Sequence, residues 1–301
     1  MQISSVIVYA PAFCFMKASR GVISRISPIS LCSVATVAVG LSSGALFAAG
    51  TASDTASNYS GGGLGTTPPN NGTGFGAWNV NLQNANNPPY VGTYLSTGSS
   101  VASGGYAFGM YANGSGDNGA ITITRSFTAG ASGSTALFNQ TLSFDLTSAG
   151  VGNGGGGPPN SLLQVNMGSA FSLSYDGTGN DNRMHFGDGS GSVQTSIDFS
   201  QLGAGIHISL AVSGPLGSTS EGYTFTVTQT TGGGLLFSQS GTFDSSAAPV
   251  SYLNFFDRNT TGDGFFNNLN INPEAVPEPT AMALLGMSAT LLALWRRRKK
   301  S

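Results

Sequence analysis

The chain offers few side chains for covalent or metal chemistry. It has two histidines, His185 and His207, and its two cysteines, Cys14 and Cys32, both precede residue 33. Residues beyond the leader therefore provide no thiolate nucleophile, disulfide or Cys-ligated metal. Nucleophilic triads and zinc sites need a histidine set among suitable partners. His207 falls on the polar side of the Ile206/Ile208/Leu210 alternation, and His185 lies in Asn182-Arg183-Met184-His185-Phe186, so both read as structural histidines. Glycosidic hydrolysis asks for two carboxyls flanking the scissile bond. Between 51 and 273 the one glutamate is Glu221, in Gly217-Ser218-Thr219-Ser220-Glu221-Gly222, and no strand-like run carries acids at i and i+2. No catalytic residue is assigned; an aspartate pair brought together from distant strands is the route left to a glycan-cleaving enzyme.

Two familiar spacings lose their meaning in context. Gly40-Leu41-Ser42-Ser43-Gly44 has the G-x-S-x-G form but lies in an N-terminal apolar run, and Gly150-Val151-Gly152-Asn153-Gly154-Gly155 runs into Gly-Gly-Pro-Pro instead of a helix. Acidic turns are the remaining ligand candidates. Asp176, Asp181 and Asn182, with Asp188 and Asp263, could offer hard oxygens to structural Ca²⁺, which takes six to eight of them. An EF-hand is excluded, since its sixth position would be Asp181 and its twelfth Gly187. Asx turns account for the same residues without metal, so no cofactor is assigned. Arg125 shares the apolar side of its run with Ile121, Ile123 and Phe127, and a buried guanidinium demands a carboxylate or carbonyl partner. Trp78, Tyr90, Tyr94, Tyr106 and Tyr111 are candidates for stacking on sugar rings, with core packing as the alternative.

The elements that would hold these groups are short strands. Alternation of apolar residues with Ser and Thr recurs at 121–128, 141–147, 171–176, 206–212 and 223–228, the pattern of half-buried antiparallel strands. Further strands are expected at 106–111, 162–167, 183–186, 193–199, 235–243, 252–256 and 265–271. A dozen strands with Gly/Asn/Asp turns predict two packed sheets, an all-β antiparallel sandwich or jelly roll over residues 75–272. Residues 51–74, rich in Gly, Ser, Thr and Asn, read as a flexible linker.

Charge is unevenly placed. Charged residues make up 8% of the chain, and residues 51–275 contain no lysine, three arginines and twelve acids. That body lacks the cation cluster nucleic-acid binding requires. Lys17, Arg20 and Arg25 precede an apolar stretch at 29–49, the layout of a signal peptide over residues 1–50, with Met16 an alternative start. At the other end, Val276-Pro277-Glu278-Pro279-Thr280 is followed by an uncharged run at 281–295 ending in Trp295, then Arg296-Arg297-Arg298-Lys299-Lys300. Fifteen or sixteen helical residues rise only about 24 Å, short of the roughly 30 Å hydrocarbon core. Trp295 suits the membrane interface, and the five cations would stay on the cytoplasmic side.

This tail, 273–301, resembles the PEP-CTERM sorting signal of exported proteins in Gram-negative bacteria. The resemblance implies recognition of Pro277, Glu278 and Pro279 by exosortase, a membrane-embedded protease, a transient transmembrane helix at 281–295, and an association with extracellular polysaccharide and biofilm. The run Gly104-Gly105-Tyr106-Ala107-Phe108-Gly109-Met110-Tyr111-Ala112-Asn113-Gly114, with Ile121 to Phe127 after it, is similar to concanavalin-like and laminin-G-like sandwiches, a fold often used for carbohydrate contact. The resulting expectation is a signal helix, a β-sandwich and a short membrane helix. The protein would be exported to the cell envelope, cell surface or extracellular space. Its role would be non-enzymatic: structural, adhesive or polysaccharide-associated. The alternatives are a β-glucanase-like enzyme, a kind of protein such sandwiches host, and a self-assembling coat protein.

Overall fold

A computed structural model describes residues 51–60, 62–65, 68–83, 91–112, 119–128, 136–149, 161–176, 182–214, 217–258 and 262–273. Fifteen strands fall among them. One sheet contains β1 (Ala52–Asp54), β3 (Val91–Ser96), β4 (Ala107–Ala112), β6 (Gln140–Ser148), β11 (Ile206–Ser213), β12 (Glu221–Gln229), β13 (Leu235–Phe243) and β15 (Gly264–Pro273). The other contains β2 (Phe75–Gln83), β5 (Ala120–Phe127), β7 (Leu162–Met167), β8 (Phe171–Asp176), β9 (Arg183–Gly187), β10 (Ser192–Asp198) and β14 (Tyr252–Arg258). The eight-stranded sheet runs β13-β12-β11-β6-β15-β4-β3, with β1 also paired to β15, and the seven-stranded sheet runs β10-β9-β8-β7-β14-β5-β2. This is the expected all-β antiparallel sandwich.

Period-two alternation builds the core. Along β7 and β14 every second residue is buried, so Leu163, Val165 and Met167 meet Leu253 and Phe255 on the inner face. The facing sheet contributes Phe144 and Phe266. Phe255 stacks on Phe266 at 3.9 Å between centroids and meets Phe144 edge-on at 5.5 Å, geometries that add to plain area burial. Phe186 stacks on Phe225 at 4.2 Å toward the β10/β13 side. Thr and Ser on the opposite parity stay partly exposed, as the pattern requires.

Three expectations need correction or qualification. Residues 51–74 are not a linker where they are described: β1 pairs with β15 in register Ala52↔Ile271, a 3₁₀ turn follows at Ala56–Asn58, and Ala52, Tyr59 and Leu64 are buried. Their polar composition conceals this, because β1 is only three residues long and the rest packs through single side chains. A helical turn, α1 (Phe199–Ala204), interrupts the sheet region. Its capping box has the Asp198 carboxylate accepting from the Gln201 amide at 2.9 Å, while the Gln201 side chain accepts from the Asp198 N–H at 2.8 Å. The expected signal helix and the tail helix at 281–295 both lie outside the described residues. Among the described residues no helix is long and apolar enough to cross a membrane.

Candidate functional site

The buried cation finds its partner in the segment expected to be a linker. Arg125 on β5 and Asp54 on β1 are both fully buried, and Arg125 Nη2 lies 2.9 Å from Asp54 Oδ2. The same nitrogen donates to Asn70 Oδ1 at 2.8 Å, and the Trp78 ring lies 4.4 Å from the guanidinium carbon. Tyr59 OH donates to Asp54 Oδ2 at 2.7 Å and accepts from Trp78 Nε1 at 2.8 Å. Gly72 is required for the close approach, since a Cβ there would sit 2.6 Å from Asp54 Cγ and 2.7 Å from Arg125 Nη2. Burial opposes both charges, pushing the Asp54 carboxyl up and the Arg125 guanidinium down, while the ion pair and the Tyr59 hydrogen bond pull the other way. This is the carboxylate partner the alternation demanded, in a structural cluster.

Trp78 is therefore not a sugar platform. A register shift between Phe75 and Trp78 turns its indole inward against Phe108 and Phe266. Tyr94 and Tyr111 lie 6.0 Å apart, each opposite a glycine on the neighbouring strand, with the Tyr94 hydroxyl bound to Asp263 Oδ2. Burial and the Asp263 charge push the Tyr94 hydroxyl up. Tyr106 is exposed, and Tyr90 lies outside the described residues.

Asp188 and Asp263, two of the aspartates considered for calcium, are engaged otherwise. Asp188 Oδ1 accepts from Ser190 N at 3.0 Å and Ser190 Oγ at 2.6 Å, and Oδ2 accepts from Tyr223 OH at 2.7 Å. Those bonds hold the Asp188 carboxyl below its usual range, while burial and Asp188 push the Tyr223 phenol up to about 12. Asp181 lies outside the described residues. Among the described residues no three His, Cys, Asp or Glu side chains gather as a metal site.

His207, half-exposed on the outer face of the eight-stranded sheet, has Nδ1 2.7 Å from Asp145 Oδ1. Asn268, in left-handed backbone at φ 52°, donates to Asp145 Oδ2 at 2.6 Å and accepts from Ser103 Oγ at 2.5 Å. The dyad orients the imidazole, and the structural role expected for His207 fits it. Glu221 is fully buried at the start of β12, and burial pushes its carboxyl up against the opposing pull of the Ser245 hydroxyl and the Ser218 and Gly217 backbone.

The surface with the most consistent chemistry is the outer face of the seven-stranded sheet. Register aligns Asn79, Thr124, Asn254, Asn166 and Ser172 as one row across β2, β5, β14, β7 and β8. Asn166 Nδ2 donates to Asn254 Oδ1 at 3.4 Å, and Asn254 Nδ2 donates to Thr124 Oγ1 at 3.0 Å. Asn81, Thr122, Phe256, Gln164 and Ser174 form the next row, with Gln164 Nε2 donating to Asn166 Oδ1 at 3.0 Å. From β2 to β8 neither row carries an ionisable side chain; His185 on β9 continues the second row, and Arg258, over the Phe256 ring at 5.9 Å, and Asp176 lie in the row beyond it. Tyr252 and Phe256 flank Asn254 on the same face of β14, both partly exposed. Two shallow depressions open here, one lined by Ala77, Trp78, Asn79, Thr124 and Ser126, the other including Gln164, Asn166, Ser172 and Tyr252. At about 4.8 Å per strand the five-strand row spans roughly 20 Å, the length of several sugar units.

Sequence reasoning placed strands here but missed the surface. The runs Tyr252-Leu253-Asn254-Phe255-Phe256 and Leu162-Leu163-Gln164-Val165-Asn166 carry apolar residues on both parities, so neither declares its wet side. Gln164 and Asn166 at i and i+2 in the second run, with Asn254 in the first, are the signal that could have marked it. The sorting residues Pro277, Glu278 and Pro279, with Trp295, Arg296, Arg297, Arg298, Lys299 and Lys300, lie outside the described residues.

Several solved structures are similar in fold. A botulinum neurotoxin DC binding domain in complex with rat synaptotagmin II matches at 11% identity and TM-score 0.39, over 70% of this chain and 47% of the other. A lectin from Bauhinia forficata in complex with GalNAc matches at 9% and 0.38, over 74% of this chain and 98% of the lectin. An alginate lyase of polysaccharide lyase family 7 matches at 11% and 0.35, over 62% and 82%. The chain spans about half the length of the neurotoxin structures it matches. No curated protein sequence matches the chain. Residues 275–299 match the PEP-CTERM protein-sorting motif, and with that match the chain carries the sorting signal its Pro-Glu-Pro, apolar and basic segments resemble.

Proposed function

We propose that this is an exported, tail-sorted protein that works without catalysis at the cell surface or in the extracellular matrix, laying an uncharged polysaccharide chain across the outer face of its seven-stranded sheet. The PEP-CTERM motif supports export and sorting. On this reading an exosortase-type protease cuts near Pro277-Glu278-Pro279 and releases the sandwich from the transient membrane anchor. The observation that carries the ligand reading is the uncharged row Asn79–Thr124–Asn254–Asn166–Ser172, with Tyr252 and Phe256 beside it. Each asparagine offers donors and acceptors to sugar hydroxyls, and the two rings offer apolar faces to pyranose C–H groups. With twelve acids against three arginines, residues 51–275 favour a neutral glycan over an anionic one.

The test is affinity electrophoresis of the protein released from producing cells, through gels containing neutral β-glucan, the producer's own polysaccharide or alginate. Retardation by a neutral glycan, reduced at least about tenfold in Tyr252→Ala and Asn254→Ala and absent with alginate, is the expected outcome. Equal migration in every gel contradicts the ligand reading, and new reducing ends from β-glucan would replace it with the enzyme reading.

A further inference from the structure

The first row on the seven-stranded sheet continues past the strands that carry its amides. Ser172 pairs with Gly187 of β9, and Gly187 pairs with Ser192 of β10. One outer-face row therefore crosses all seven strands, roughly 29 Å at about 4.8 Å per strand. Both shallow depressions lie on this row. One sits over β2 and β5, with Asn79 and Thr124 in its lining; the other spreads from β7 to β10, with Asn166, Ser172, Gly187 and Ser192 in its lining. Neither is lined by a charged side chain. Between them Asn254 of β14 donates to Thr124 Oγ1 and accepts from Asn166 Nδ2.

This layout selects the length and shape of a ligand. The centres of the depressions are between three and four strand spacings apart, roughly 17 Å, so a sugar chain filling both has at least about four rings. Asn79 on β2 and Ser192 on β10, at the two ends of the row, are both exposed. Among the described residues no strand lies beyond either of them. A row open at both ends suits the interior of a chain, not its terminal sugar. Pairing register gives the row one position per strand, so a ligand that meets each strand alike advances by close to one strand spacing, about 4.8 Å, per ring. Pyranoses joined through equatorial bonds at opposite corners of the ring, the β-(1→4) class, form such an extended ribbon. Linkages of the β-(1→3) and α-(1→4) classes curl the chain into a helix, which would leave the row.

We propose that the seven-stranded sheet binds the interior of a neutral β-(1→4)-linked chain, at least about four rings long, held in both depressions at once. This rests on the glycan reading of that face and names the class of glycan.

Isothermal titration calorimetry of the released protein tests it, using β-(1→4)-linked glucose and mannose oligosaccharides of three and six rings and a β-(1→3)-linked glucose hexasaccharide. A β-(1→4) hexasaccharide should bind at least about tenfold more tightly than its trisaccharide and than the β-(1→3) hexasaccharide. Blocking either depression should lower hexasaccharide affinity towards that of the trisaccharide. Ala77→Leu fills the first, and Gly191→Val the second, where an added Cβ meets no atom within 4 Å. Unchanged thermal midpoints confirm that both variants fold. Equal affinity for three and six rings, equal affinity for the β-(1→3) chain, or full hexasaccharide affinity in either folded variant overturns the proposal. Absence of binding by every oligosaccharide also overturns it, and retardation by the producer's own polysaccharide would then leave the broader glycan reading standing.

Discussion

Two buried carboxyls, one at each side of the sandwich, meet opposite fates. Asp54, beside β2 and β5, is fixed by Arg125, Tyr59, Asn58 and the Thr55 amide. Glu221, whose cross-strand neighbour is Phe243 of β13, is equally inaccessible and has only the Ser245 hydroxyl and the Ser218 and Gly217 backbone to oppose its desolvation. The first side spends a whole N-terminal segment on closing the sheets around a paired charge. The second buries an acid without a cation and ends its sheet at β13, where the register shifts beside Leu236 and Ser196 Oγ binds the Leu236 carbonyl. Where it is described, the polar-looking segment 52–74 belongs to the folded body.

The largest effect should come from breaking the paired side. Asp54→Ala leaves a fully buried guanidinium without its carboxylate, and urea denaturation should show a loss of about 3–5 kcal/mol. Replacing both partners, Asp54→Leu with Arg125→Met, should recover most of it, because an apolar pair carries no desolvation cost. A loss under 1 kcal/mol for Asp54→Ala would mean the segment is not anchored there.

A smaller effect of opposite sign is expected at the unpaired-charge acid Glu221. Burial raises the Glu221 pKa above its unfolded value, so the folded state binds the proton more tightly. Stability then falls as pH rises through that raised pKa and is regained toward pH 4.5. Asp54, also raised, adds to this trend, whereas Asp188, Asp198 and Asp244 are lowered and cost stability only below about pH 3.8. Glu221→Gln should gain about 1 kcal/mol at pH 7–8 and nothing near pH 4.5; a constant difference across that range would show the carboxyl is solvated. The smallest effect is expected at the β13 edge. Leu235→Ser should change the unfolding free energy by less than about 0.5 kcal/mol, a surface-like response.

Much of this architecture was legible because Ser and Thr mark the wet side of a strand. The run 235–243 was bounded as observed, and Arg125 disclosed its need for a carboxylate by sitting in phase with Ile121 and Ile123. What escaped had physical reasons. Trp78 follows a bulge, which inverts the parity of everything beyond it and leaves no trace in composition. The strand at Ala52–Asp54 is too short to show a period. The helical turn at Phe199–Ala204 was announced by Asp198-Phe199-Ser200-Gln201, a capping signature overlooked in favour of the strand before it. The amide row was hidden because β7 and β14 carry apolar residues on both parities, so only pairing register reveals which side chains line up. Segments 1–50 and 274–301 were legible as sequence alone.

Hydroxyl-radical footprinting of the released protein, with and without a saturating neutral glycan, addresses the glycan-binding face most directly. Oxidation of Tyr252 and Phe256 should fall several-fold on binding, while the exposed Tyr106, just before β4, keeps its rate. Protection confined to Tyr106, Tyr94 and Tyr111, with Tyr252 and Phe256 unchanged, would contradict the account and move the site to the opposite sheet.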